Sequence, residues 1–343
     1  MQSVNKKLNF ETRQKIAYLA ALTLMFSYAE LLIPRIFPYF RLGLGNAALL
    51  MGLELSFPAF MLLGVVKTVC ANLMAGTLFS PFFLVSFAQS IASVMVMFCL
   101  SRVIRQRRIL SLYGISVLGS AVSAVVQISL TSLYLGQGTW SLIGPMLIFN
   151  VISGVITAWL AIVLENAVGE SVGANAVDGE LETSAADSAD SDSKKKVFNS
   201  VLLIVLITAS ASVFFIKNTY VLCGFLLIAF VSQKLSGRKI LLLPHISLWL
   251  FVLITSVLVP NGHVLFKFLG FSITHGALVS GVQKALRLST VTAFSQCAVC
   301  IQPGEKSLLG FTLKYYKLMV VSFVNTPGSI FTKLRTALVF NKN

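Results

Sequence analysis

Long apolar runs separated by short polar breaks dominate the hydrophobic pattern of the chain. The first half carries six of these runs, at about 16–33, 42–57, 58–74, 82–101, 112–135 and 140–164. A helix needs roughly 20 apolar residues to cross a bilayer. The pattern therefore predicts six membrane-spanning helices, with most charged residues collected in the breaks between them.

The second half repeats this pattern after a polar interruption. Further apolar runs fall at about 197–216, 220–231 and 240–259, and a helical pattern covers about 275–301. After the break at Gln302-Pro303-Gly304 the chain stays helical in pattern but carries many Lys and Tyr residues. We therefore expect an all-α integral membrane protein with two helical membrane halves.

The interruption between the halves, residues 165–196, is acidic and rich in Ser, Ala and Gly. It holds eight of the 12 acidic residues of the chain and almost no large apolar groups. Such a segment cannot bury enough apolar surface to fold. We predict a disordered cytoplasmic linker that separates a membrane domain at 1–164 from a second one at 197–343.

Composition and charge narrow the class of protein further. The chain is 56% hydrophobic and 11% charged, which excludes an ordinary soluble domain. Its net charge of +15 could suit a nucleic-acid binder, but the basic residues form short clusters between apolar runs. This placement is typical of cytoplasmic loops. The distribution of basic residues predicts that four segments face the cytoplasm: the N-terminus, the Arg102–Arg108 loop, the linker and the Lys234–Lys239 loop. We therefore expect a membrane protein with no nucleic-acid partner.

Polar side chains within the apolar runs are the candidate ligand-binding groups, because burying them in a membrane costs free energy. The predicted substrate-binding residues are Arg41, Asn46, Lys67, Asn72, Gln89, Gln127 and Asn150. Other interpretations stay open: Asn46 could cap a helix, Lys67 could snorkel or pair with Glu54, and the amides could join helices. The cations Arg41 and Lys67 favour an anionic or carboxylate-bearing substrate.

The sequence contains no recognisable enzyme motif. Its three His residues lack partners at metal-ligand spacing, every Asp lies in the linker, and the phosphate-binding pattern G-x-x-x-x-G-K-[ST] is missing. We predict a protein that is not an enzyme, with no catalytic residue, metal or cofactor. Any ATPase would be a separate chain.

Residues 14–164 resemble the substrate-binding S component of energy-coupling factor (ECF) transporters. The resemblance lies in KIAYLAALT in the first run and RLGLGNAALLMGLEL at the start of the second. It is strongest to the Gx transporter group, also called heptaprenyl diphosphate synthase component I. It implies a six-helix bundle in the bacterial inner membrane whose Ala17 and Ala21 dock on a transmembrane T component.

Residues 197–343 look like a T component with truncated coupling helices. The stretches that carry this resemblance are THGALVSGVQKALRL at 274–288 and KLMVVSFVNTPGSIFTKLRTAL further on. The resemblance implies that Arg287, Pro327 and Arg335 couple the membrane domain to ABC-type ATPases.

The leading functional hypothesis is a membrane subunit that binds a small organic nutrient and moves it inward, energised by ATPases in trans. Its partners would be those ATPases, the small molecule and membrane lipid. One alternative is a membrane partner of a prenyl diphosphate synthase. Another is a structural membrane protein whose polar residues only join helices.

Overall fold

The structure is a computed structural model of the full chain. It describes residues 2–32, 43–107, 111–169, 208–216, 218–235, 242–259, 261–268, 271–297 and 307–327. Arg41, Arg335 and most of the predicted linker lie outside these described residues.

The first half consists of helices joined by short turns. They are α1 (Gln2–Leu32), α2 (Asn46–Met51), α3 (Phe57–Ala75), α4 (Pro81–Arg107), α5 (Leu112–Leu135), a 3₁₀ helix (Gln137–Leu142) and α6 (Ile143–Gly169). Helices α3 to α6 pack as sequential antiparallel neighbours, and α1 lies against α3. The short connections explain why neighbours in sequence are also neighbours in space.

The second half is also mainly helical. Its elements are α7 (208–215), α8 (Thr219–Leu235), α9 (Leu242–Val257), strands β1 (Val264–Phe268) and β2 (Phe271–Thr274), α10 (His275–Cys297) and α11 (Leu308–Asn325). Helix α10 packs between α8 and α9. The strands form one antiparallel hairpin with an irregular register near Val264.

The structure is that of an all-α membrane protein with a single small hairpin among its described residues. Four described segments are long and apolar enough to cross a membrane: Phe57–Ala75, Pro81–Val103, Leu112–Leu135 and Gln137–Asn166. Because many of their apolar residues are exposed on the outside of the bundle, the surface of these helices suits lipid contact.

Helix α6 shows how the bundle sorts its residues. Ile148, Ile152, Val155 and Trp159 recur at helical spacing and are all exposed. Ser153 lies among them in sequence but on the buried side of the helix. The helix thus turns an apolar face outward and a polar face inward, which is the arrangement expected when the surrounding solvent is lipid.

Several boundaries differ from the sequence-based prediction. Helix α1 begins at Gln2, well before the first apolar run, and α6 continues to Gly169, so the first five residues of the predicted linker are helical. The second predicted span is described only from Gly43, where it forms the six-residue α2 and a turn. The hairpin at 264–274 was not predicted.

The two halves pack against each other through α11, which lies along α1. Tyr18 of α1 meets Tyr315 of α11 edge-to-face, with ring centroids 6.5 Å apart. Met319 is fully buried in the same cluster as Ala21 and Leu22. Such aromatic and apolar packing is the main source of interface free energy in a chain of this kind.

A second contact between the halves lies at the opposite end of the bundle. The Nζ atom of Lys284 in α10 donates to the carbonyl oxygen of Leu135, 2.7 Å away, at the last residue of α5. The backbone N–H of Phe79, in the turn between α3 and α4, donates to Oγ of Ser295 at 2.9 Å. Helix ends carry unpaired carbonyl groups, so Lys284 satisfies one of them and complements the helix dipole.

The α1–α11 contact can be tested by cross-linking. In a full-length chain whose native cysteines are replaced by Ala, we expect Tyr18→Cys and Tyr315→Cys to react with one short bis-maleimide. Cleavage at a protease site placed in the linker would then leave the halves joined on a denaturing gel.

Tyr18→Cys with Tyr220→Cys is the matched control for this experiment, because Tyr220 is exposed at the start of α8, which packs on α10. Equal cross-linking of both pairs would contradict the packing of α11 on α1.

Candidate functional site

A cavity of about 140 Å³ lies inside the first half, among α1, α2, α3, α4, α5 and α6. We call it the central cavity. Nearly all of its lining groups are hydroxyls, amides or small residues, although the helices around it are strongly apolar. A polar interior inside a membrane bundle is costly, which is why such cavities usually have a function.

Polar stripes at helical spacing form three walls of the cavity. The α4 stripe is Ser86, Gln89, Ser90 and Ser93; the α5 stripe is Ser116, Ser120, Ser123 and Gln127; the α6 stripe is Asn150, Ser153, Gly154 and Thr157. Residues three, four and seven apart lie on one face of a helix. Each stripe therefore points its polar groups to the same side, and together they surround the cavity.

Six of the seven predicted substrate-binding residues line this one cavity: Asn46, Lys67, Asn72, Gln89, Gln127 and Asn150. The seventh, Arg41, lies outside the described residues. The structure thus brings together side chains from five helices that are far apart in sequence. Their role in binding a substrate remains a prediction.

Lys67 is the cationic group of the cavity among its described lining residues. Its Nζ donates a hydrogen bond to Oδ1 of Asn46, the first residue of α2. Asn46 therefore does not cap α2, because Gly45 occupies the N-cap position. Glu54 is exposed in the turn before α3 and does not line the cavity, so the pairing considered for it with Lys67 is not seen.

Two of the predicted amide side chains already form hydrogen bonds to the backbone of their own helices. Asn72 donates to the carbonyl oxygen of Thr68 at 2.8 Å and accepts from Oγ1 of Thr77 at 2.8 Å, which fixes the end of α3. Asn150 donates to the carbonyl oxygen of Met146 at 2.8 Å. These two amides shape the wall of the cavity, while Asn46 holds the charged group.

Glu30 is a charged lining residue that sequence reasoning missed. The sequence pattern places it at the end of the first apolar run, but the structure buries it at the cavity wall, with a 6% exposed side chain. The lining serines were missed as well. Their signal was available, because Ser and Gln recur at i, i+3, i+4 and i+7 within α4.

The predicted docking residues on α1 are buried in the structure. Ala17 and Ala21 have no exposed surface, and Ala21 belongs to the cluster that also contains Met319 of α11. Small residues four apart allow another helix to approach closely. Helix α11 of the same chain is one of the helices that pack on α1, beside α2 and α3.

The predicted coupling residues lie in different surroundings. Arg287 is half-buried within the second half and donates from Nη2 to the carbonyl oxygen of Ile216 at 2.9 Å. Pro327 is exposed just after α11. Arg335 lies outside the described residues.

The position of α10 bears on the coupling role predicted for Arg287. Helix α10 contacts Phe79 and Leu135, which lie at the end of the bundle opposite the α4–α5 connection. The basic residues around that connection place it in the cytoplasm in the predicted topology. In this topology α10 lies at the outer end, so contact between Arg287 and cytoplasmic ATPases would require the reverse orientation.

The α5–α6 wall is held by unusually close backbone approach. The hydroxyl of Ser116 donates to the carbonyl oxygen of Gly154 at 2.7 Å, and Ser120 donates to that of Asn150 at 2.8 Å. A Cβ atom on Gly154 would lie 2.9 Å from the backbone Cα of Val117. Small residues and hydroxyl groups join membrane helices in this way.

The described residues hold no group of three His, Cys, Asp or Glu side chains that could bind a metal ion. The chemistry available in the central cavity is hydrogen bonding, from hydroxyls, amides and one ammonium group, and ion pairing through Glu30 and Lys67. This set of groups can recognise a small polar molecule.

Comparisons with known proteins fall separately on the two halves. The family model described as heptaprenyl diphosphate synthase component I matches residues 19–164, which contain the central cavity. A model described as a domain of unknown function (DUF8519) matches residues 197–299. No curated protein and no solved structure matches the chain. The first match agrees with the resemblance of the first half, whereas the second gives no support to a T component.

We expect Gly154→Ala to destabilise the protein, because the added methyl group would collide with the α5 backbone. Overpacking of this kind costs about 1–3 kcal/mol, so the melting temperature should fall by several degrees in a thermal-unfolding measurement in detergent.

Gly144→Ala is the matched control on the same helix, because a Cβ atom there would meet nothing within 4 Å. This variant should melt at or slightly above the wild-type temperature. Equal melting temperatures for the two variants would contradict the close packing of α6 on α5.

Proposed function

We propose that the chain is a membrane subunit of an ECF-type transporter that binds a small organic nutrient in the central cavity and moves it inward. Separate ATPases would supply the energy. The observation that carries this proposal is a polar, charge-bearing cavity enclosed by apolar helices, within the region matched by the component I family.

The polar groups that line the cavity favour a role in substrate binding over a role in joining helices alone. Hydroxyls that only join helices find partners on a neighbouring helix, as Ser116 and Ser120 do. Gln89, Ser90 and Ser93 on α4 instead keep side-chain oxygen atoms without a partner among the described residues. An unsatisfied buried polar atom costs about 1–3 kcal/mol, so atoms left in this state suit a ligand that pairs with them.

The second half would act as a built-in support for the first. Helix α11 packs along α1, and α10 bonds to the α3–α4 turn and to the end of α5 at the other end of the bundle. The docking that the resemblance assigns to a separate T component would thus be made within one chain. The N-terminus and linker would face the cytoplasm of a bacterial cell, where the ATPases lie.

The description of the matched family, heptaprenyl diphosphate synthase component I, favours a second candidate, a membrane partner of a prenyl diphosphate synthase. Its substrate chemistry fits the cavity less well, because a prenyl chain is apolar and the lining is rich in hydroxyls and amides. In that case the cavity would have no role in the shared activity, and the soluble synthase would bind elsewhere on the chain.

Ligand binding can be tested by native mass spectrometry of the protein purified from its own membrane. We expect a small molecule to remain bound to the wild type. For Lys67→Met, we expect the amount of bound ligand to fall at least tenfold, because a hydrogen bond to a charged group is worth about 1.5–3 kcal/mol.

Lys234→Met is the matched control for this measurement, since Lys234 is exposed at the end of α8. It should retain the ligand. Retention of the ligand by Lys67→Met, with an unchanged melting temperature, would place binding outside the central cavity.

The energy source can be tested by affinity purification followed by protein mass spectrometry. We expect a pair of ABC-type ATPases to co-purify, equally with the wild type and with Lys67→Met, because Lys67 lies inside the cavity. Co-purification of a soluble prenyl diphosphate synthase without ATPases would instead support the second candidate.

A further inference from the structure

Two opposite charges line the central cavity. Glu30 lies on α1 and Lys67 on α3, and the ammonium group of Lys67 binds Asn46. Oε1 of Glu30 has no hydrogen-bond partner among the described residues, although the side chain is 6% exposed. A buried carboxylate oxygen in this state is costly, and a bound hydrogen-bond donor would remove that cost.

The α4 wall adds more atoms that can accept a hydrogen bond. The side-chain oxygen atoms of Gln89, Ser90 and Ser93 line the cavity, and none has a partner in the described part of the chain. An amide carbonyl only accepts, and a hydroxyl can accept. Together with Glu30 they match a ligand group that carries several donors and a positive charge, and a protonated amine has both properties.

The two charges belong to the lining of a single cavity of about 140 Å³, so a ligand in this cavity can meet both. Glu30 is three residues after Ser27 on α1, a rise of about 4.5 Å. A Cβ atom on Gly45 would lie 2.6 Å from Oγ of Ser27, and Gly45 directly precedes Asn46, the partner of Lys67. The α1 segment that carries Glu30 thus packs on the start of α2, where Asn46 accepts a hydrogen bond from Lys67.

The balance of charge decides between ligand classes. Among the lining residues that the structure describes, Glu30 and Lys67 are the charged ones, and their charges cancel. A simple anion would be repelled by Glu30 and a simple cation by Lys67, and this repulsion is strong where water is scarce. A ligand that carries both charges gains from both groups.

Resting on the proposed function that the cavity binds a substrate, we propose that this substrate is a small zwitterion. Its protonated amine lies against Glu30, and its anionic group lies against Lys67. The sequence-based expectation of an anionic substrate rested only on the cationic residues. With Glu30 in the cavity, we expect the substrate to carry a positive charge as well.

The test is thermal unfolding of the full-length protein in detergent, with tryptophan fluorescence as the readout. Four defined mixtures serve as probes: α- and ω-amino acids as zwitterions, alkylamines and diamines as cations, mono- and dicarboxylic acids as anions, and sugars with polyols as neutral compounds. We expect the amino acid mixture to raise the melting temperature by about 5 °C near saturation, and the other three to leave it within error.

Variants assign the effect to the two charges. Glu30→Gln and Lys67→Met should each abolish the shift given by the amino acids. Glu54→Gln, which removes an exposed carboxylate outside the cavity, should keep it. If Glu30→Gln melts far below the wild type without ligand, the conservative Glu30→Asp variant replaces it, with a weakened shift expected.

The remaining outcomes overturn the inference in distinguishable ways. A shift from the carboxylic acids or the polyols, lost in Lys67→Met, would refute the zwitterion but leave the proposed function standing. If the amines raise the melting temperature of both the wild type and Lys67→Met, the ligand is a simple cation and the zwitterion is refuted. No shift from any mixture, together with no ligand in native mass spectrometry, would overturn both the zwitterion and substrate binding by the cavity.

Discussion

The cost of leaving polar groups unpaired inside a membrane-spanning bundle governs the first half of this protein. Water is scarce there, so each hydroxyl, amide or charge needs a partner from the protein or from a ligand. On α5 and α6 the protein supplies those partners, because Ser116 and Ser120 donate to backbone carbonyl groups of α6. The described residues supply none to the side-chain oxygen atoms of Gln89, Ser90 and Ser93 on α4 or to Oε1 of Glu30. The central cavity is the space between these two kinds of wall.

The same constraint explains how the halves of the chain are joined. The exposed outer faces of α3 to α6 are apolar and suit lipid, so they need no protein cover. Two polar contacts between the halves fall where lipid is a poor partner. Lys284 meets an unpaired helix-end carbonyl, and Ser295 meets the backbone N–H of a turn. Helix α11 adds apolar packing against α1, through Met319 and Tyr315.

Much of the fold could be predicted from the sequence, because hydrophobic runs determine membrane helices almost directly. Helices α3 to α6 lie close to their predicted ranges. The hairpin at 264–274 could not, since its two strands of five and four residues are too short for a periodic pattern to reveal them. The start of α1 was also missed, because charged residues can extend a helix beyond the apolar run.

The cavity could be predicted in part, for a related reason. Large amides and Lys67 are conspicuous inside apolar runs, and six of the seven residues chosen on that basis line it. Serine is less conspicuous, because it often bonds to its own helix. Glu30 was hidden by its place at the end of a run, where an acidic residue normally lies in water. Its burial follows from tertiary packing, which a one-dimensional pattern does not contain.

The positions of α10 and α11 constrain how energy could reach the cavity. Helix α11 belongs to clusters that also contain Leu100 and Leu112, on either side of the basic α4–α5 connection, whereas α10 contacts turns at the other end. If basic loops face the cytoplasm, α11 and its exposed Lys314 and Lys317 lie on that side. Among the described helices of the second half that contact the first, α11 is therefore the better placed for a cytoplasmic ATPase. It also packs on α1, the helix that carries Glu30 into the cavity, so a force applied to α11 has a direct mechanical route to one wall of the cavity.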